Sequence, residues 1–357
     1  MFSRSGSKKK EKEKKGGKAM ESEGQMSGLV PIGEGEGGEE GEGVGWGGGG
    51  PDASSPASFS ASFEDLVTGQ AGMSRERLDG LLNGLLDFGD EITQLMCVRT
   101  VCDYLSLATE ESLGSTLRVE PFCKAFSILL SHHNPDIMLL AARAVTNLVE
   151  ALPSAASQVV SSGLLPPLVG SLLTIEYIDV AEQSLQALEK ITLEVPNDVL
   201  MNGGLSAVLA YTDFFRTEVQ RVAATTAMYM CQRARNSSWE MVSAGVPLLH
   251  GLLQNSDAMV VERACHCLAF LTERYQGYPG RVEVLLPDEV LAKIVSFVSD
   301  PNSIVRSRTK TGLLRMMGTA CHLSFSVVDR LLSLDIAAVL SGLLRGTTEQ
   351  ATAVGSS

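Results

Sequence analysis

The chain has 357 residues, 44% of them hydrophobic and 20% charged, with a formal net charge of −13. Its apolar content suffices for a globular core of roughly 250 residues. The acidic balance argues against a protein that wraps nucleic acid, because phosphates require a positive surface. No apolar run approaches the roughly 20 residues that span a bilayer, and the N-terminus has no apolar secretory segment. We therefore expect neither nucleic acid nor a membrane as a partner.

The cysteines are odd in number and form no C-x-x-C pair; they are Cys97, Cys102, Cys123, Cys231, Cys265, Cys267 and Cys321. Most fall on predicted helix faces that also carry Ala and Leu, which is typical of reduced, buried thiols. Such usage favours a protein of the nucleus, the cytoplasm or both.

Residues 1–60 are predicted to be a disordered tail, first basic and then rich in Gly and Glu. The run SKKKEKEKKGGK at 7–18 is compatible with a nuclear localisation signal or with an ordinary solvated tail. The tract GEGEGGEEGEGVGWGGGG at 33–50 cannot bury enough surface to offset its backbone entropy.

Residues 61–87 are predicted to be a linker followed by a capping helix. The leucines recur at helical spacing, at Leu78, Leu81, Leu82, Leu85 and Leu86. Ser74 stands at the N-cap position, so we expect a helix over 74–88 that covers the open end of a repeat array.

Residues 88–348 carry six copies of an amphipathic stripe with apolar or small residues at i, i+4 and i+8. The stripes are Cys97/Val101/Leu105, Leu140/Ala144/Leu148, Val180/Ser184/Leu188, Val219/Ala223/Ala227, Val260/Ala264/Leu268 and Val305/Thr309/Leu313. Their last members are spaced by 43, 40, 39, 41 and 45 residues. A period near 40 residues is typical of armadillo and HEAT repeats.

Each repeat is predicted to hold a long helix, a loop and a shorter helix. The long helices are expected at 91–107, 136–151, 179–194, 217–233, 258–274 and 303–319. The shorter helices are expected at 118–130, 163–173, 203–215, 245–253, 288–298 and 336–344. The fold class is therefore all-α, an armadillo/HEAT-like right-handed superhelical solenoid of about six repeats, with a disordered end at 349–357.

Three glycines, Gly163, Gly204 and Gly245, stand 41 residues apart, each before an apolar helix. We expect each of them to form a tight corner between packed helices, where glycine's conformational freedom is needed.

The sequence offers no catalytic set and no cofactor site. The triplet Cys265-His266-Cys267 lies on a predicted helix, where consecutive side chains point in different directions and cannot share one metal ion. The histidines all lie within the helical pattern, and no glycine-rich phosphate loop follows a strand. We expect no catalytic residue, no cofactor and no metal.

The long helices of armadillo arrays line a concave groove, and the candidate binding residues there are Arg143, Asn147, Gln183, Arg263 and Arg308. The three arginines are expected to form a basic line that suits acidic peptide segments. The alternative is that these positions belong to ordinary solvated faces. A second row is expected one turn on, at Tyr104, Asn147, Ala187, Thr226, Cys267 and Gly312.

The central repeat, TIEYIDVAEQSLQALEKI at 174–191, carries a more specific resemblance, which continues in GGLSAVLAYTDFF and VQRVAATTAMYMCQ. Upstream, ATEESLG at 108–114 and NPDIMLLAARAVTNLVEALP extend it. These segments resemble the armadillo region of HECT-type E3 ubiquitin ligases of the ubiquitin-fusion-degradation class. That class includes the animal thyroid-receptor-interactor ligase and its plant trichome-controlling relative. The resemblance covers about residues 77–348.

The resemblance implies an N-terminal array that recruits protein substrates or degron peptides, with ubiquitin as a further candidate partner, and a C-terminal HECT domain with a catalytic cysteine. No HECT cysteine motif is found up to Ser357. We therefore expect a fragment or truncated form that is inactive by itself, although the family is enzymatic, and that is a monomer. The alternatives are a free-standing armadillo adaptor for protein–protein interaction and a solenoid without a peptide groove.

Overall fold

The computed structural model describes residues 73–354, and the side chains of residues 73–345. Within this range the chain forms eighteen α-helices and no β-strand. In chain order they are α1 (Arg75–Leu85), α2 (Glu91–Leu107), α3 (Glu110–Thr116), α4 (Val119–Leu129), α5 (Pro135–Ala151), α6 (Ala156–Ser161), α7 (Leu165–Thr174), α8 (Ile178–Glu194), α9 (Pro196–Met201), α10 (Gly204–Ala210), α11 (Thr217–Arg233), α12 (Trp239–Leu252), α13 (Ala258–Arg274), α14 (Pro279–Leu285), α15 (Asp288–Ser299), α16 (Ser307–Leu323), α17 (Phe325–Ser333) and α18 (Ile336–Val354).

The six long helices, α2, α5, α8, α11, α13 and α16, pack side by side in sequence order. The small residues in the middle of the predicted stripes form part of their shared core. Ala144, Ser184, Ala223 and Ala264 are all fully buried, so that neighbouring helices approach closely. Since each repeat buries its apolar face only against its neighbours, the architecture is a solenoid. The predicted all-α repeat fold is confirmed for the described residues.

Most of the long helices lie where the apolar period predicted them. α2, α11 and α13 have the predicted bounds, and α5 and α8 begin one residue earlier. The Asp90 side chain caps α2 by accepting hydrogen bonds of 3.1 Å from the Ile92 and Thr93 amides. Asn134 and Asp257 cap α5 and α13 in the same way.

The last long helix begins four residues later than predicted, at Ser307. The preceding Arg306 has extended backbone, with φ −72° and ψ 157°, and its amide donates to Glu262 Oε1 at 2.8 Å. That amide is thus satisfied by the neighbouring repeat. Val305, which was expected on the helix stripe, is buried outside the helix.

The loops predicted between long and shorter helices contain a third helix in most repeats, namely α3, α6, α9, α14 and α17. These helices have six to nine residues, too few for a full amphipathic period to stand out in sequence. Most repeats are therefore closer to a three-helix unit than to a two-helix one.

At the N-terminal end of the described range, α1 packs on α2 and α4 and buries Leu78, Leu81 and Leu85. Ser74 caps it, as predicted, by accepting from the Arg77 amide at 3.3 Å. At the other end α18 continues to Val354, beyond residue 348 where the array was expected to stop. The predicted tail at 1–60 and residues 355–357 lie outside the described residues.

The glycine corners differ from one another. Gly163 has a φ of +79°, which favours glycine as predicted, but in the next repeat the glycine with positive φ is Gly203 rather than Gly204. Gly245 lies inside α12, where an added Cβ would stand 2.7 Å from Leu205 Cγ of the preceding repeat. Its role is close helix packing and not a turn.

Candidate protein-binding surface on the long helices

The long-helix face, defined as the exposed and half-buried residues of α2, α5, α8, α11, α13 and α16, holds four of the five predicted binding residues, and the fifth, Gln183, is buried. The structure brings Arg143 of α5 and Gln183 of α8 together, with Arg143 Nε donating to Gln183 Oε1 at 3.4 Å. Gln183 is only 7% exposed, and its Nε2 donates to Thr146 Oγ1 at 3.1 Å. The Gln183 amide therefore links two helices, while the Arg143 side chain remains exposed.

Asn147 is half-buried, and its Nδ2 donates to the Cys102 carbonyl of α2 at 3.1 Å. The rest of the second predicted row is mostly inaccessible, since Tyr104, Ala187, Thr226 and Cys267 are buried. The expectation that this row faces a groove is therefore wrong at those four positions. They fill the space between neighbouring long helices, and only Asn147 and Gly312 remain half-exposed.

Arg263 and Arg308 lie on the neighbouring helices α13 and α16. Arg263 Nη1 approaches Met228 Sδ at 3.5 Å, while its Nε is buried without a hydrogen-bond partner within residues 73–345. Arg308 is exposed. Burial lowers the pKa of the half-buried His266 beside them, and the positive charges of Arg263 and Arg308 lower it further. The two arginines thus act on one patch of surface.

The charge of the long helices reverses midway along the row. Helices α2, α5 and α8 contain three Lys or Arg against eight Asp or Glu, whereas α11, α13 and α16 contain seven against three. We call α11, α13 and α16 the basic half. The reversal was readable from the sequence once the helix bounds were known, but the net charge of the whole chain conceals it.

Several arginines of the basic half have no charged partner. Within residues 73–345, the side chains of Arg233, Arg274 and Arg308 make neither a hydrogen bond nor an ion pair. By contrast, Arg221 is paired with Asp257 at 2.7 Å, and Arg315 with Glu273 at 2.7 Å. Unpaired guanidinium groups keep their five donors available for carboxylate or phosphate groups.

This chain is similar to a known protein family. The family described as E3 ubiquitin-protein ligase TRIP12-like, TPR repeats, matches residues 3–201, which is more than half of the chain. The chain belongs to this family. The resemblance to ligases of the ubiquitin-fusion-degradation and thyroid-receptor-interactor class is thereby confirmed.

Two relatives show how this TRIP12-like chain relates to longer proteins. The E3 ubiquitin-protein ligase UPL3 of Arabidopsis thaliana is 41% identical over 305 residues, which are 82% of this chain and 16% of UPL3. The E3 ubiquitin-protein ligase TRIP12 of Danio rerio is 31% identical over 268 residues, 75% of this chain and 13% of TRIP12. The chain thus spans about a sixth or less of the length of these curated relatives.

A solved structure supports the fold of the TRIP12-like chain. Computationally designed armadillo repeat proteins for modular peptide recognition superpose with a TM-score of 0.55 at 16% identity, covering 68% of this chain and 99% of the designed chain. The family description names TPR repeats, which are two-helix units of about 34 residues. The period near 40 and the third helix agree with armadillo repeats.

The cysteines of this TRIP12-like chain are free, and six of them are buried. Burial raises the pKa of Cys97 to about 11 and that of Cys265 to about 12. Such thiols stay protonated at neutral pH and are poor nucleophiles. Among the residues that the structure describes, no three His, Cys, Asp or Glu side chains are grouped closely enough to hold a metal ion.

The helices of the TRIP12-like chain can also be compared with the thickness of a bilayer. No single helix of the described part is both long and apolar enough to span a bilayer, and one bent pair, Pro153–Ser161 with Leu165–Thr174 at 82°, reaches the required apolar length only when the two are joined.

Proposed function

We propose that this TRIP12-like chain recruits protein substrates for a HECT-type ubiquitin ligase, and that acidic segments of those substrates bind the basic half of the long-helix face. The observation that carries the proposal is the charge reversal between α8 and α11, together with the unpaired arginines on the positive side. A partner that carries carboxylates gains attraction on this half only.

Charge of this kind favours recognition by several weak contacts. A single exposed ion pair contributes roughly 0.2–1 kcal/mol, so an acidic segment must meet several arginines to bind measurably. Arginine forms two parallel hydrogen bonds with a carboxylate, which adds geometric selectivity. Binding should weaken as salt rises, because exposed charges are screened within about 10 Å at 0.1 M.

The relatives support the assignment to ubiquitin transfer. UPL3 and TRIP12 are named as E3 ubiquitin-protein ligases, and the designed armadillo proteins are described as made for modular peptide recognition. For this chain, ligase activity in a longer protein, binding of degron peptides or ubiquitin, the monomeric state and a nuclear or cytoplasmic location are all proposals. By itself the chain should form no thioester when incubated with E1, E2 and ubiquitin.

The recruitment proposal is tested by fluorescence anisotropy with a labelled Asp/Glu-rich peptide and the full chain. The variant carrying Arg263→Glu and Arg308→Glu should bind at least tenfold more weakly, because two attractive contacts become repulsive. Arg143→Glu is the matched control, since Arg143 is exposed like Arg308 but lies among acidic helices, and it should change Kd less than threefold.

Two competitors complete the test. A basic peptide of the same length should not displace the acidic one, and double-stranded DNA should compete only at low salt if phosphates are attracted non-specifically. Equal loss of affinity in the Arg143→Glu control, or no binding of any acidic peptide by the unaltered chain, would show that the basic half is not the recruiting surface.

A further inference from the structure

A pocket opens in the basic half between helices α13 and α16. It is lined by His266, Ala269, Phe270, Glu273, Gly312, Arg315, Met316 and Thr319, and has a volume of about 140 Å³. A dry cavity of roughly 150 Å³ holds a benzene ring. The pocket is therefore large enough for one bulky side chain of a bound peptide.

The pocket exists because of one residue. Gly312 stands at the register position that other repeats fill with Tyr104, Asn147, Ala187, Thr226 and Cys267. A Cβ added at Gly312 would meet no other atom within 4 Å. The side chain that closes the space between long helices in the other repeats is thus missing here.

The walls of the pocket are mainly apolar, and its rim is polar. Ala269, Phe270 and Met316 supply the apolar surface, while Glu273 and Arg315 form an ion pair of 2.7 Å at the rim. Because Glu273 already neutralises Arg315, the rim gives little net charge to a ligand. An apolar side chain can enter without leaving a charge unpaired.

The charges around the pocket determine which residues can stand next to the ligand side chain that enters it. Arg263 and Arg308 lie about one turn toward the N-termini of the two helices, and Arg308 is unpaired within the described residues. Both act electrostatically on His266, which lines the pocket. A ligand that places a side chain in the pocket therefore brings its neighbouring residues to two guanidinium groups.

We propose that the α13–α16 pocket is an anchor site for a Leu, Met or Phe side chain flanked by Asp or Glu in a bound peptide. The inference rests on the proposed function, since it takes the acidic segment to be the ligand of the basic half. The anchor site adds the requirement that the bound peptide carries an apolar residue, which attraction between charges alone would not impose. Acidic segments without that residue bind, but more weakly.

The test compares two labelled acidic peptides that differ only in a central residue, Leu in one and Ala in the other. The unaltered chain should bind the Leu peptide about tenfold more tightly, in line with the loss of several buried carbons. In Gly312→Met the introduced side chain should fill the pocket, so that both peptides bind with the weaker affinity. The variant should fold, because Met has a higher helix propensity than Gly.

Gly318→Met is the matched control, since Gly318 lies on the same helix, is exposed, and also has no atom near an added Cβ. It should keep the tenfold preference for Leu. If the unaltered chain binds both peptides equally, or Gly312→Met keeps the preference, the anchor site is overturned while acidic recruitment stands. If neither peptide binds, both proposals fail.

Discussion

A buried carboxylate joins two neighbouring repeats in the described chain. Glu262 of α13 binds Arg306, which stands at the start of α16. The Glu262 carboxylate accepts from the Arg306 amide at 2.8 Å, from Arg306 Nε at 2.9 Å and from Thr309 Oγ1 at 3.2 Å. Arg306 Nη2 also donates to it. Although Arg306 is exposed, Glu262 is only 2% exposed. We predict that Glu262→Gln destabilises the packing of α16 on α13.

The loss of stability in Glu262→Gln can be worked out from the hydrogen bonds that Glu262 makes. A hydrogen bond to a charged group contributes about 1.5–3 kcal/mol and a neutral one about 0.5–1.5 kcal/mol. Glutamine retains one carbonyl oxygen but turns an NH₂ group toward the guanidinium, so at least one bond is lost and the others are weakened. We expect a loss of about 2 kcal/mol. Glu273→Gln is the control, since its ion pair with Arg315 joins the same helices but is exposed on both sides, and it should cost less than about 1 kcal/mol.

The loss of stability caused by Glu262→Gln should also depend on pH in a defined direction. The hydrogen bond from Arg306 holds the pKa of the Glu262 carboxyl below its ordinary value of 4.5. A depressed pKa in the folded state means that the stabilisation is full above pH 4.5 and is lost as the pH falls below it. The difference between the unaltered chain and Glu262→Gln should therefore be constant from pH 6 to 8 and narrow below pH 4.5.

The assay is urea unfolding together with native-state hydrogen exchange of the amides of α16. Because repeats contact only their neighbours, faster exchange should be confined to α16 and the helices that follow it. Equal destabilisation by Glu262→Gln and Glu273→Gln, or a difference that grows as the pH falls, would refute the reasoning.

Three further predictions concern packing, capping and thiols. Gly245→Ala should destabilise the chain by about 1–3 kcal/mol, because its Cβ would meet Leu205, whereas Gly251→Ala in the same helix has open space and should be neutral or stabilising by chemical denaturation. Asp257→Ala should cost about 1–3 kcal/mol, because it removes both the cap of α13 and the ion pair with Arg221, and Asp257→Asn should recover only the part due to the cap in the same denaturation assay. In the native chain at pH 8, a thiol reagent should label Cys321 first, since Cys321 is half-buried and the other six cysteines are buried; rapid labelling of all seven would contradict the buried core.

The sequence register predicted the exposure of some proposed recruiting residues, whereas contacts with a neighbouring repeat decided that of others. Arg263 and Arg308 were expected from their register beside the small stripe residues, and the structure leaves Arg308 exposed and Arg263 half-buried. Gln183 has the same register, yet the structure buries it between Arg143 and Thr146. The facing residues decide this difference, and the partners of Gln183 lie in the preceding repeat.

The sequence by itself determined the repeat period, the all-α class and the bounds of helices such as α2, α11 and α13. These features depend on apolar spacing and capping within one repeat, where the interacting residues are at most eight positions apart. Only the tertiary structure decided where α16 begins, that Gly245 is a packing residue and that Gly312 opens a pocket. Each of these depends on a residue about 40 positions away, which stacking of the repeats brings into contact.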